Sequence, residues 1–539
     1  MTSLENGMQR QVKVLDCTLR DGGYYTDWDF DQKTADTYLD AVSKLPVDMI
    51  EIGYCSNPKL GYFGNYFYLT RERLSAIKSR LAPHQRLAVM LDAKDNKPEG
   101  VPALLGDLGG IVDIVRLAVA PKELGAGLAL ARAIKALGFD VGFNLMYLSS
   151  YADDMGKLEG LDGCKGVVAS VALVDSYGGC LPQSVGSAVA KAVELLPGID
   201  IGYHGHDNIG LAFANTLAAI DNGATIVDAT FTGMGRGAGN TRTELYLVHR
   251  AAQENQPLDY DALAEVVEMF EGMKAVYGWG TNLAYMISGA SSLPQKDVMD
   301  WLGKNRYSVV SILRALQKDS PGQLDEREYE PLRLNSVPIS ASGEVLIIGG
   351  GPSVHQHHAA LARFANGSGV PVVHANFRNL DSIADFGSQQ LVCLAGDGVT
   401  KLPASEALDN IRAFVTAEPP RFAGTVPTDL PGPVVQVKPY VPRGEGGHLG
   451  PVSDIGPLSL ALGAALSLGA TRISFAGFDG YANATSAQQE LGREVQSMID
   501  DFRKDHPEVT VQSLTPGLYD LPKASIYARL VDLQGVPAA

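Results

Sequence analysis

The stretch DIGYHGHDNIG, residues 200–210, decides how the first half of the chain is read. It opens as a short apolar run suited to a buried strand and ends in two histidines one residue apart, His204 and His206. Side chains at i and i+2 of a strand point the same way, so both imidazoles face one side at the strand's carboxyl end. The chain has 10 histidines in 539 residues, so this pairing needs a reason. Taken alone, it is either a pair of satisfied, partly buried histidines or two neutral imidazoles gripping one divalent cation.

Seven further runs of the same kind surround it: VKVLDC (12–17), MIEIGY (49–54), LAVMLD (87–92), VDIVRLAV (112–119), DVGFNL (140–145), GVVASVALVD (166–175) and TIVDATF (225–231). They are mostly continuous rather than alternating, as strands covered on both faces are. Helical patterns such as DQKTADTYLDAVSKL (31–45) and LALARAIKALG (128–138) lie between them. Eight such units within residues 1–258 predict an α/β fold, a closed (β/α)8 TIM barrel, whose reactive side chains gather at the carboxyl ends of the strands. Residues 259–320 read as a helical extension, and YGWGTNLAYMISG (277–289) is apolar enough to make a homodimer face. Residues 321–343, rich in proline and charge, read as a linker. Residues 344–539 read as a second α/β domain, a Rossmann-like parallel sheet, from EVLIIGGGPSV (344–354), PVVHAN (371–376), QLVCLAG (390–396), PVVQVKPYV (433–441) and RISFAGFDG (472–480).

Composition narrows the function classes. A net charge of −17 argues against nucleic acid or an anionic membrane surface as the main partner. No apolar run reaches the roughly 18 residues of a membrane span, and residues 1–10 lack a secretory pattern. Cys17, Cys55, Cys164, Cys180 and Cys393 form no CxxC pair, so they read as reduced thiols of a cytoplasmic protein.

The first predicted strand runs into TLRDGG (18–23), which carries Arg20 and Asp21 past its end; the eighth runs into FTGMGRGAGN (231–240), which carries Asn240. In a closed barrel the eighth strand touches both the seventh and the first. Asp21, His204, His206 and Asn240 can therefore converge, and two nitrogens with two oxygens suit Mn²⁺ or Mg²⁺ better than a closed zinc site. Singly, Asp21 reads equally as a turn residue and Asn240 as a helix N-cap.

Five ordered motifs, LDCTLRDGGYYTDWDF (15–30), IEIGY (50–54), VDSYGG (174–179), HGHDNIGLAFAN (204–215) and GMGRGAGNTRTELYL (233–247), resemble the DRE-TIM metallolyase superfamily, and within it the 4-hydroxy-2-oxovalerate aldolase-like branch. The resemblance spans about residues 12–310. It implies a divalent metal on Asp21, His204, His206 and Asn240, and an aldolase that cleaves a 2-oxo acid through a chelated enolate. Arg20 is suited to hold the enolate's charge, with Glu51 orienting it. Asn144, Ser176 and Tyr177 are candidate substrate contacts; Asp175 reads either as part of the metal surroundings or as a cap of the next helix. Where the family's aldolases place a catalytic histidine, three residues after the aspartate, this chain has Tyr24, followed by Tyr25. Tyr24 is thus the candidate acid/base, although a phenol with a pKa of about 10 is a poor base at neutral pH. The alternatives are a Claisen-type condensing transferase using acyl-CoA on the same barrel, and a barrel without catalysis that serves as a platform.

In the second domain the Gly-rich turn Gly350, Gly351, Pro352 and Ser353 follows a strand, where backbone N–H groups can approach a phosphate. No acidic residue stands at the ribose position of dinucleotide folds, which argues against NAD. With HANF (374–377) and the segment around Asp479, the domain resembles that of bacterial sialyltransferase-like proteins over residues 344–530. This implies a nucleotide sugar near Gly350, Gly351, Pro352, Ser353, Asn376 and Asp479, with His448 a candidate catalytic histidine.

Overall fold

The computed structural model describes residues 11–158, 160–293, 295–303, 324–333, 343–380, 385–387, 389–395, 410–442, 455–482 and 486–533, together with the single positions 309, 312, 313, 316, 408 and 484. The chain divides into two compact units at Val298/Met299. That division falls before the 321–343 segment, because the helices Tyr260–Tyr277 and Leu283–Ala290 belong to the first unit.

Eight parallel strands close the first unit into a barrel: β1 (Lys13–Asp16), β2 (Met49–Tyr54), β3 (Arg86–Asp92), β4 (Ile114–Val119), β5 (Asp140–Leu145), β6 (Ser170–Asp175), β7 (Asp200–Gly205) and β8 (Ile226–Ala229). The seam is made by β1 on β8, with Lys13 opposite Ile226 and Asp16 opposite Ala229. At the amino-terminal end the interior is apolar, with Leu15, Cys17, Met49, Ala88, Ile114 and Ile226 packed together. One layer higher it carries charge: Glu51, Arg116, His204 and Asp228 are all buried. Gly142 makes that layer possible. A Cβ there would stand 2.9 Å from Ser170 Oγ and 3.2 Å from Arg116 Cγ, so a larger residue would press on the arginine stem where it crosses the barrel.

After β1 the chain does not turn out, as TLRDGG suggested, but enters helix α1 (Thr18–Thr26), with Arg20 and Asp21 buried in its first turns. Two glycines inside a helix are unfavourable in isolation. Here they let it press against the barrel: a Cβ on Gly22 would lie 2.6 Å from Met234 Sδ, and one on Gly23 2.2 Å from the Trp28 ring. Trp28 in turn donates its indole N–H to the Arg20 carbonyl at 2.7 Å, fixing the turn that carries the site.

The second unit holds a parallel sheet of eight strands. In chain order these are β10 (Glu330–Pro331), β11 (Glu344–Ile348), β12 (Val372–His374), β13 (Gln390–Cys393), β14 (Ile411–Ala417), β16 (Val434–Val437), β17 (Arg472–Ala476) and β18 (Thr510–Ser513). Across the sheet the order is β10-β16-β14-β13-β12-β11-β17-β18, so it reverses at β11. A short ladder pairs β9 (Leu324–Asp325) with β15 (Arg421–Phe422). The segment expected as a linker therefore supplies β9 and an edge strand, β10, held by backbone pairing that composition does not reveal. Alternate residues of β11 enter two different cores, Val345 and Ile347 in one and Leu346 and Ile348 in the other, so both faces are covered. All five cysteines are buried and unpaired. Among the described residues no helix is long and apolar enough to cross a membrane.

His374, on β12, is 1% exposed and donates Nε2–H to the side-chain oxygen of Gln390 at 2.8 Å. Burial, against that hydrogen bond, lowers its pKa from 6.5 to about 4. As pH falls through this window the unfolded chain takes up a proton that the folded one refuses, so stability drops. The second unit is expected to be about 2–3 kcal/mol less stable at pH 4.5 than at pH 7 from this residue. Denaturant midpoints of the full chain, read on a probe in this unit, check it; a His374→Gln chain with the same pH slope would place the cause elsewhere.

Candidate active site

The barrel's carboxyl end brings together residues that are far apart in sequence. Among the described residues, Asp21, His204 and His206 have ligand atoms within 4.8 Å of one another, and all three are buried. Their tautomers follow from what lies behind them. His204 donates Nδ1–H to Asp228 Oδ2 at 3.0 Å, and His206 donates Nδ1–H to the carbonyl of Asp175 at 2.8 Å. Each ring therefore turns Nε2 into the pocket; that of His204 lies 3.5 Å from Asp21 Oδ2, and against burial the contacts with Asp21 and Asp228 raise its pKa, so it would yield its second proton to a bound cation. Backing partners of this kind orient and tune metal-binding imidazoles. Burial, together with the charges of His204 and Arg236, lowers the His206 pKa to about 3, so that ring is neutral. Burial alone would raise the Asp21 carboxyl, but Arg20 and, after it, His204 outweigh it and hold it well below the usual range.

Asn240 pairs with His206 through an isolated backbone bridge, and its amide Nδ2 donates to Asp21 Oδ2. It is not the cap of the next helix, which starts at Thr243 behind Arg242. Its Oδ1 is buried without a hydrogen-bond partner. An ionised carboxylate, two imidazole Nε2 atoms and an orphaned amide oxygen in one buried pocket fit a divalent cation, since unpartnered polar atoms are costly unless a ligand answers them.

Behind these residues runs a closed ring of charge. Arg20 gives Nη1–H to Asp21 Oδ1 at 2.7 Å and Nε–H to Glu51 Oε1 at 2.5 Å. Glu51 Oε2 accepts from Arg116 Nη1 at 3.1 Å, and Arg116 Nη2 donates to Asp228 Oδ2 at 2.6 Å. Asp228 returns to His204 and so to Asp21. Arg20 Nη2 is left buried with no partner, a donor held in reserve beside the pocket.

The remaining expected residues are placed as follows. Asn144, on β5, is buried with Oδ1 unpartnered. Ser176 accepts the Tyr147 N–H at 2.8 Å on its hydroxyl oxygen. Tyr177 stands against Tyr147, ring centroids 5.5 Å apart. Asp175 turns its carboxylate to the N–H groups of Gly179 and Cys180, so it braces the next loop. Tyr24 is 37% exposed at the mouth, edge-on to Trp28, with the Arg236 guanidinium over its ring at 5.6 Å. Arg116 and Asp228 were not singled out from sequence; their signal was a charge flanked by apolar residues, in IVRLAV (114–119) and TIVDATF.

In the second unit, Asp479 occupies the Gly-rich turn. Ser353 donates its N–H to Asp479 Oδ2 at 2.8 Å and its hydroxyl to Oδ1. A Cβ on Gly351 would lie 2.5 Å from Asp479 Cγ, so this glycine makes room for a carboxylate. Asn376 lies over Gly350, its Nδ2 2.8 Å from where a Cβ there would stand. His448 lies outside the described residues.

Residues 129–270 match the family model described as HMGL-like. The 4-hydroxy-2-oxovalerate aldolase of Burkholderia thailandensis is 30% identical over 300 residues, spanning 52% of this chain and 81% of that enzyme. The oxaloacetate decarboxylase of Mycobacterium tuberculosis is 27% identical over 340 residues, spanning 59% and 95%. A crystal structure of the N-terminal domain of a Bacteroides vulgatus protein assigned as an aldolase superposes with a TM-score of 0.53 at 41% identity, covering 56% of this chain and all of that one.

Proposed function

The chain belongs to the HMGL-like superfamily in which the 4-hydroxy-2-oxovalerate aldolases stand, and from that premise we propose that its barrel is a divalent-metal-dependent carbon–carbon lyase acting on a 2-oxo acid. The observation that carries the reading is the convergence of Asp21, His204 and His206 within 4.8 Å, with Arg20 Nη2 unpartnered beside them. Asp21, His204, His206 and Asn240 would hold Mn²⁺ or Mg²⁺. When bound, such an ion supplies a Lewis acid for the oxygens of the 2-oxo acid.

The protein's own share is orientation and charge. As the bond beyond the β-carbon parts, its electron pair stays on the 2-oxo acid fragment as an enolate. Arg20, gripped on two sides, offers Nη2–H where that charge develops, without having to reorganise. Glu51 positions Arg20. Asn144, Ser176 and Tyr177 line the carboxyl ends of the neighbouring strands as substrate contacts. Tyr24 is the candidate carrier of the proton that leaves the hydroxyl of the departing aldehyde. For the second unit we propose a nucleotide sugar over Gly350, Gly351, Pro352 and Ser353; with Asp479 already there, ligand hydroxyls rather than a phosphate would meet the turn. Self-association would use the face that exposes Val276, Tyr277, Leu283 and Met286, and the five unpaired thiols support a reducing, cytoplasmic setting.

Supplied with Mn²⁺, the full chain is expected to release pyruvate or a related keto acid from 4-hydroxy-2-oxo acids, and to lose this activity on chelation and regain it on metal return. Thiol release from acetyl-CoA, without keto-acid release, would establish the condensing alternative instead. No Mn²⁺ binding at all would establish the platform reading.

A further inference from the structure

Arg236 is a cation without an assigned task. It sits in the Gly-rich loop between β8 and the helix Thr243–Glu254, and the loop is fastened just beyond it. The Gly237 carbonyl accepts the Tyr25 hydroxyl at 2.7 Å, the Gly239 carbonyl accepts the Asp207 N–H at 2.8 Å, and Asn240 is tied to Asp21. Gly235 lies flat on Asn240; a Cβ there would stand 2.6 Å from its Nδ2. The backbone thus holds Arg236 beside the cation pocket. Its guanidinium covers the Tyr24 ring, and its charge is felt by the His206 ring and the Tyr177 hydroxyl.

Among the described residues Arg236 makes no ion pair, and its Nε is buried with no hydrogen-bond partner. That differs from Arg20 and Arg116, each of which is answered by two carboxylates. A buried N–H without an acceptor is costly, and a guanidinium fork is shaped for a planar or tetrahedral anion. The charge of the pocket points the same way. The ring behind it holds three carboxylates (Asp21, Glu51, Asp228) against two guanidiniums (Arg20, Arg116), a net −1. Asp175 spends its charge on loop N–H groups instead. A divalent cation and one 2-oxo acid carboxylate would bring the ring to neutrality. Arg236 then remains as one positive charge that a monoanionic substrate leaves unanswered.

We propose that the substrate carries a second anionic group, a carboxylate or a phosphate at the end remote from the 2-oxo acid, and that Arg236 binds it at the mouth with Tyr24 and Tyr177 alongside. This rests on the 2-oxo acid reading of the same pocket and narrows it to dianionic substrates.

The test is calorimetric binding to the full chain loaded with Mn²⁺, with three unreactive probes of similar length. These are 2-oxopentanoate, which has a methyl end, 2-oxoglutarate, which has a carboxylate end, and 4-phosphono-2-oxobutyrate. At least one of the two dianions is expected to bind about tenfold or more tighter than 2-oxopentanoate. Whichever binds tighter names the second group as carboxylate or phosphate. In Arg236→Gln that advantage is expected to fall to about threefold or less, and in Arg236→Lys to survive in part. Mn²⁺ titration of each variant shows that the pocket is intact. Equal affinity for all three probes, or an advantage that survives in Arg236→Gln, overturns the inference and leaves the lyase reading standing. So does an equal loss on all three probes, which would put Arg236 on the 2-oxo acid's own carboxylate. Mn²⁺ binding without affinity for any probe overturns both.

Discussion

Asp21→Ala is expected to lower turnover on the order of 10³-fold and to weaken Mn²⁺ binding in step, because it removes the anionic member of the candidate cation pocket. The same carboxylate also engages Arg20 and Asn240. Its loss leaves Arg20 Nη1 as well as Nη2 without a partner, so the donor aimed at the developing charge keeps only its Glu51 anchor. Asp21→Asn keeps the volume and one acceptor oxygen but not the charge. It should fold as the parent does and still lose most of the metal affinity. Manganese titration followed by electron paramagnetic resonance, with initial rates at saturating substrate, reads both effects. An Asp21→Ala chain that binds Mn²⁺ with unchanged affinity would move the cation site elsewhere.

The second large effect is on stability. Arg116 is 3% exposed and bridges Glu51 to Asp228 across the barrel interior. Arg116→Met takes the shared cation from two buried carboxylates, leaving Glu51 with Arg20 alone and Asp228 with His204 alone. Breaking a buried pair this way costs about 3–5 kcal/mol, or a fall of about 6–15 °C in the melting temperature of a unit of this size. Adding Asp228→Asn removes one of the stranded charges and should recover part of that loss in a double-mutant cycle. Activity should not recover with it, because an asparagine no longer dictates the His204 tautomer. If each single variant melts within a degree or two of the parent, the ring does not hold the interior together.

Why some of this was legible and some was not follows from range. The eight barrel strands announced themselves because each is a short run that must be apolar on both faces, and TLRDGG, HGH and GAGN stand at three of their ends. The helix over Thr18–Thr26 did not, because Gly22 and Gly23 read locally as a turn. What requires glycine inside the helix is the close approach of Met234, more than 200 residues on, and of the Trp28 ring. The pairing of Arg116 with Asp228 was hidden for the same reason: each looks like a blemish in its own strand and makes sense only across the barrel. In the second unit β14 and β18 escaped because IRAFVTA carries a charged residue at its second position and TVQS is short and polar. Asp479 was expected near a nucleotide. Its contact with Ser353 joins strand ends 126 residues apart, and no local pattern encodes that.

The seam between β1 and β8 has a consequence for how the protein comes into being. Asp21 and Asn240 meet although 219 residues separate them in sequence. A chain emerging from the ribosome therefore has nowhere to place a cation until its eighth strand has been made and has found its first. Manganese capture during refolding should accordingly be a late event, a chemical signal that the circle has closed rather than a nucleus around which it forms.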